Sequence, residues 1–278
     1  MGSLYLAVGG LNTTAACRDT LGRRRLRDRD VLLPLFKGKE LWSQSSPLEM
    51  TCHAIGSLPR CHEMIALLLP HLKPVALGLL KDIERPNRRI DTVYFMESGI
   101  ASVVALQADE TRVEVGLIGR EGMSGIAVVL GGNQSPHSTY IQVAGEGQRM
   151  PANELRKAMM ASESLRGLLL KFVQVFMVQT AHTAIANARS HIDQRLARWI
   201  LMAHDRTGDT TLPLTHEFLA LMLGVRRPGV TEALQSLKRL KLIKTGRNQI
   251  LVLDRKGIER AAGDSYGVPE KEYQRLIS

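Results

Sequence analysis

The stretch LTHEFLALMLGVRRPGVTEALQSLKRL, residues 214–240, constrains this chain more than any other. Two short apolar-periodic runs, Phe218-Leu219-Met222-Leu223 and Val230-Ala233-Leu234-Leu237, are separated by Gly224-Val225-Arg226-Arg227. Thr215 can cap the first helix by accepting a backbone N–H, and Glu217 then sits favourably in its first turn. Gly224 can take the left-handed backbone of a sharp helix ending, and Pro228 fits the first turn of the next helix. Two helices joined this tightly make a helix-turn-helix, whose second helix can enter a DNA major groove, or a plain αα-corner.

The residues beyond Leu240 favour the groove-entering reading. Lys241-Leu242-Ile243-Lys244-Thr245 and Gln249-Ile250-Leu251-Val252-Leu253 flank the turn Gly246-Arg247-Asn248, which is the pattern of a hairpin. A helix-turn-helix followed at once by a hairpin is a winged helix. Between 226 and 247 stand seven positive charges (Arg226, Arg227, Lys238, Arg239, Lys241, Lys244, Arg247) against the single negative Glu232. That local excess is a phosphate-facing footprint. The expected DNA contacts are Thr215, Arg226, Arg227, Gly229, Thr231, Gln235, Lys238, Lys244 and Arg247.

The whole chain, at 278 residues, is long enough for two domains, each with its own core, and its formal charge of +10 favours an acidic partner. Aromatic residues make up only 4%, which disfavours base-stacking platforms for RNA or single strands and leaves duplex DNA as the better fit. No apolar run reaches the roughly 20 residues of a membrane span, so no membrane partner is expected. MGSLYLAVGG lacks a basic start and a long apolar core, so no signal peptide is expected. Three cysteines, Cys17, Cys52 and Cys61, are too few for a disulfide framework and suit a reducing cytoplasm.

Residues 1–50 read as a basic, flexible extension. Its run Arg23-Arg24-Arg25-Leu26-Arg27-Asp28-Arg29-Asp30 fits a solvated tail or a DNA-binding arm, with the aspartates partly cancelling the arginines. Short helical runs come next at Ala54-Ile55-Leu58 and Met64-Ile65-Leu67-Leu68-Leu69. Strands are expected in Ile90–Ala105, around Glu97-Ser98-Gly99, and over Val113–Ile118, Ile126–Leu130 and Thr139–Val143. Short strands at this spacing with Gly-rich turns indicate a β-roll over 51–163.

A long helix is expected over 164–190, with Leu165, Leu169, Phe172 and Phe176 on one stripe and Leu170, Val173 and Met177 on a second. Two stripes mean burial on two sides, against the roll and against a partner chain, or a core helix of a monomer. Small residues beyond Gln179 would allow close helix approach, so the expected dimer interface is Leu165, Leu169, Phe172, Val173, Phe176, Met177, Thr180 and Ala184. The separate amphipathic helix IDQRLARWILMA (192–203) leads into the winged helix, assigned to 191–266, and a tail occupies 267–278.

This order of an N-terminal β-roll, a long helix and a C-terminal winged helix-turn-helix, an α+β fold, resembles the Crp/Fnr family of bacterial transcription regulators. The segments that carry the resemblance are IDTVYFMESGIASVV (90–104), GREGMSGIAVVLGG (119–132), IDQRLARWILMA and LTHEFLALMLGVRRPGVTEAL (214–234). It implies a homodimer joined along the long helix, a roughly palindromic duplex site, RNA polymerase as a further partner, and Arg227 as a base-reading residue. Cyclic-nucleotide binders of the family hold ribose and phosphate with a Gly-Glu pair and an Arg-Ser or Arg-Thr pair. Here Met123 stands near the acidic position and His137-Ser138 replace the arginine pair, so the effector pocket is expected to be degenerate. A cyclic-nucleotide- or other small-ligand-dependent signalling module of the same fold is the alternative.

The widely spaced cysteines do not match the family's iron–sulfur branch. Cys52-His53 with Cys61-His62 would supply four zinc ligands, though separate side chains are the plainer reading, and neither cofactor nor metal is expected. With no acid/base pair or activated nucleophile in view, an enzyme is not expected either.

Overall fold

A computed structural model describes residues 64–106 and 112–277. The arginine run, the cysteines, the zinc alternative and the helical run at Ala54 lie outside those residues. Residues 64–68 are helical, with Met64 and Leu68 buried under the roll.

Antiparallel pairing builds that roll from two sheets. Strands β1 (Lys73–Leu77), β3 (Thr92–Met96) and β7 (Gly145–Pro151) pair in the order β1-β7-β3. Strands β2 (Asp82–Glu84), β4 (Ile100–Leu106), β5 (Arg112–Ile118) and β6 (Ser138–Val143) pair in the order β2-β6-β4-β5. Gly99, at φ +80°, makes the turn from β3 to β4, where a side chain would run into Val143 O at 2.5 Å. Strand β7 has the sequence GEGQRMP, with little of a strand's composition, yet it lies between two partners. Gly147 suits that place, because a Cβ there would meet Phe95 O at 2.3 Å.

Two sequence expectations are corrected here. The apolar run Ile126–Leu130 is a short helix, α1 (Ile126–Val129), and not a strand. Gly125, at φ +84°, turns the chain, and its carbonyl accepts from Val128 N at 2.8 Å and Val129 N at 3.2 Å. So short a run carries no periodicity that separates the two states. The expected tail is also structured: after α2 (Ala152–Ala161), α3 (Glu163–Arg189) and the winged part, residues Val268–Ile277 form a last helix. Its Tyr273 and Ile277 are buried in the same core as the roll.

Helix α3 starts at the cap Ser162, whose hydroxyl accepts from Leu165 N at 3.2 Å. By length and composition alone it could cross a membrane, which the sequence reading did not foresee, yet one face is committed to the roll. Leu165, Leu169, Phe172, Val173 and Phe176 are buried within this chain's own core and unavailable to a partner, which corrects their assignment to a dimer interface. The rings of Phe172 and Phe176 lie so close to the roll that a Cβ on Gly122 or Gly116 would stand 2.3 and 2.7 Å from them.

After α3 come α4 (Ile192–Thr207), β8 (Thr211–Leu212), α5 (His216–Leu223), α6 (Arg227–Arg239), β9 (Ile243–Gly246), β10 (Gln249–Val252) and α7 (Arg255–Ala262); the last helix is α8 (Val268–Ile277). Their core includes Ile100, Leu117 and Val143 from the roll, so the winged part does not close a core of its own. A methyl added at Gly122 overpacks the Phe172 contact. Gly122→Ala should cost about 1–3 kcal/mol and Phe172→Ala about 3–5 kcal/mol. Urea unfolding of the double variant should show a loss smaller than the sum, because the truncated ring vacates the space.

Candidate nucleic-acid interface

Thr215 caps α5 as its sequence position implies, its hydroxyl accepting from Phe218 N at 3.2 Å. Gly224 ends the helix at φ +59°, and after Val225 and Arg226 α6 begins with Arg227 and Pro228 in its first turn. Val230, Ala233, Leu234 and Leu237 are buried beneath α6. The opposite face carries Arg227, Gln235 and Lys238, all exposed, with Thr231 half-buried beside them and its hydroxyl donating to Arg227 O. Arg226 is exposed just before the helix.

Strands β8, β10 and β9 form the wing sheet, and Lys244 and Arg247 are exposed on it and at its turn. Asn248, at φ +57°, takes the left-handed backbone at the second position of the two-residue turn. Gly229 is half-buried in the first turn of α6, where a Cβ would meet the end of Ile192 of α4 at 3.3 Å.

Sequence reading missed one member of this surface. The guanidinium of Arg227 pairs with the carboxylate of Glu217 at 2.5 Å, and both side chains are more than half exposed. The only sequence signal was the first-turn position of Glu217, which says nothing of the partner ten residues on.

A polar junction ties the roll to α3 and α4. The Leu117 peptide donates to Gln179 Oε1 at 2.7 Å and accepts from Gln179 Nε2 at 3.1 Å and from Arg206 at 3.4 Å. Arg206 also pairs with Glu121 at 2.7 Å. Trp199 Nε1 donates to Glu114 Oε1 at 3.0 Å, and Ser102 Oγ donates to its other oxygen at 2.6 Å. Arg255 pairs with Asp205 at 2.8 Å, and Tyr266 donates to the same carboxylate at 2.6 Å. Gln142 of β6 reaches Met222 of α5, so the first helix of the pair rests on the roll.

The three residues expected in a degenerate effector pocket differ in exposure. Met123 is 1% exposed, bridged to Phe95 in the roll core, while His137 and Ser138 are half-buried where β6 begins. The nearest acidic residue to Met123 in sequence, Glu121, is occupied by Arg206 and by Gly119 N at 3.2 Å. Among the described residues no group of three His, Cys, Asp or Glu stands together as a metal site.

Roll, long helix and basic winged helix together define a DNA-binding transcription regulator. Residues 194–261 match the Crp-like helix-turn-helix domain, and the chain has the architecture of the Crp/Fnr regulators. A protein from Eubacterium rectale assigned to the Crp/Fnr family matches at 18% identity and TM-score 0.58, over 72% of this chain and 94% of that one. FixK2 from Bradyrhizobium japonicum matches at 14% identity and TM-score 0.59, over 69% and 98%. A transcriptional regulator of the CRP family from Thermus thermophilus matches at 20% identity and TM-score 0.56, over 69% and 97%. No curated protein matches by sequence.

Glu114 gives the junction a pH dependence. Burial pushes its carboxyl up to about 7 from an ordinary 4.5, against the lowering effect of the Ser102 and Trp199 hydrogen bonds. The folded state therefore keeps a proton that the unfolded state releases, so stability falls as pH rises from 4.5 to about 7 and is flat above. The loss through this group is on the order of 3 kcal/mol. Glu114→Gln can accept from Trp199 through its oxygen and donate through its NH2 to the Ser102 hydroxyl, and should flatten the fall, as read by urea unfolding at about pH 5 and about pH 8.

Proposed function

We propose that this regulator binds a specific, roughly palindromic DNA duplex as a homodimer, with α6 of each protomer in the major groove and the wing on the flanking backbone. The observation that carries this reading is the outward face of α6, where Arg227, Gln235 and Lys238 stand exposed with Lys244 and Arg247 on the adjoining wing. Arg227 is the base-edge reader; Lys238, Lys244 and Arg247 neutralise phosphates. RNA polymerase is its further partner on the strength of the resemblance, and the cytoplasm its compartment.

Dimerisation falls to the outer face of α3. Leu170, Met177, Ala181, Ala184, Ile185 and Ala188 lie on that face, at least partly exposed, with no charged residue among them. Of the residues first expected at that interface, Met177, Thr180 and Ala184 keep the role. Small alanines let two such helices approach closely, and an uncharged stripe this long is covered most economically by its own copy. The roll acts without a cyclic nucleotide held in the family's usual manner, since Met123 and His137 offer no bidentate phosphate contact.

Arg227→Ala should cost about 1–3 kcal/mol at the specific duplex and relax the base preference beneath it. Lys244→Ala or Arg247→Ala should weaken all duplexes alike and reduce the salt slope by about one unit each. Met177→Asp places a charge on the outer stripe without touching the roll core. It should shift sedimentation to a monomer and weaken operator binding with it; a wild-type monomer at micromolar concentration contradicts the dimer.

A further inference from the structure

The ion pair between Glu217 and Arg227 joins the first turn of α5 to the first residue of α6, at the tip that would meet the groove. We propose that Glu217 is a positioning and specificity-determining residue: it holds one edge of the Arg227 guanidinium so that the other edge addresses guanine. This rests on the reading of Arg227 as the base contact.

Three observations carry it. Glu217 Oε1 engages Nη2 of Arg227 at 2.5 Å, while a guanidinium has five donors, enough to serve a carboxylate and a guanine O6/N7 pair together. The carboxyl is held below its ordinary range by its own backbone N–H first and by Arg227 after that, so it stays an anion at neutral pH. Both side chains are largely exposed, 59% for Glu217 and 66% for Arg227, so the pair does little for folding and its worth must be sought in the bound state.

In the groove, water leaves and the pair strengthens, fixing a long flexible side chain that would otherwise pair with any phosphate it reached. The anion also repels phosphate. Glu217 thus lowers affinity for random duplex while raising discrimination at one base pair, which is the attractive-plus-repulsive arrangement that specificity requires.

The test uses the full chain and a duplex selected with it from random-sequence DNA, with the four base pairs substituted in turn at the position Arg227 protects. Wild type, Glu217→Gln, Arg227→Ala and the double variant are titrated against each duplex and against random duplex. Thermal melting should be alike for wild type and Glu217→Gln.

Glu217→Gln should cut the preference for guanine about tenfold and tighten random-duplex binding, and should change neither preference in the Arg227→Ala background. If Arg227→Ala abolishes the preference and Glu217→Gln keeps it, Glu217 does not position the arginine. If Glu217→Gln shifts preference at a neighbouring base pair independently of Arg227, Glu217 reads a base itself and the positioning role is overturned. Retention of the preference in Arg227→Ala alone would instead remove the base-reading assignment on which the proposal rests.

Discussion

The peptide group of Leu117 is the point on which the arrangement of the described residues depends. Strand β5 is the last strand of its sheet, so the backbone groups on its outer side have no neighbouring strand to pair with. An edge buried in this way must find donors and acceptors elsewhere or lose the free energy of unmade hydrogen bonds. Gln179 of α3 answers both the N–H and the C=O of Leu117, as a further strand would, and Arg206 of α4 adds a second donor to the carbonyl. Roll, long helix and winged part therefore meet at one satisfied edge, and the apolar side chains of Ile100, Leu117 and Val143 run from it into the second core.

Charge is sorted along the same line. Arg198 and Arg206 are buried at the junction with Glu114 and Glu121 close by, whereas the arginines and lysines of α6 and the wing are exposed. The net positive charge of the chain thus says little by itself. What matters is that the buried cations have partners within the protein, whereas Lys238, Lys244 and Arg247 are exposed to solvent. Arg227 stands between these classes, exposed yet already engaged by Glu217.

The winged helix was legible because its punctuation is local. Thr215, Gly224 and Pro228 each act on their immediate neighbours and sit where their chemistry implied, while of the expected turn Gly246-Arg247-Asn248 the glycine closes β9 and the other two residues make the turn. Residues whose placement is decided by distant partners were not legible. The stripe from Leu165 to Phe176 announced burial but not whose surface would cover it, and the answer was set by Gly116 and Gly122 some fifty residues earlier. Strand β7 was missed because pairing on both sides, not side-chain propensity, makes it a strand. The Glu217–Arg227 pair and the Gln179–Leu117 clasp escaped for the same reason.

The central claim is that two copies of this chain read one duplex through paired α6 helices. Hydroxyl-radical footprinting of the full chain on a duplex selected from random sequence tests it most directly. The account predicts two symmetry-related protected blocks centred about one helical turn apart, roughly 10 base pairs, with two protomers per duplex. A single unpaired block, or one protomer saturating the duplex, would contradict it.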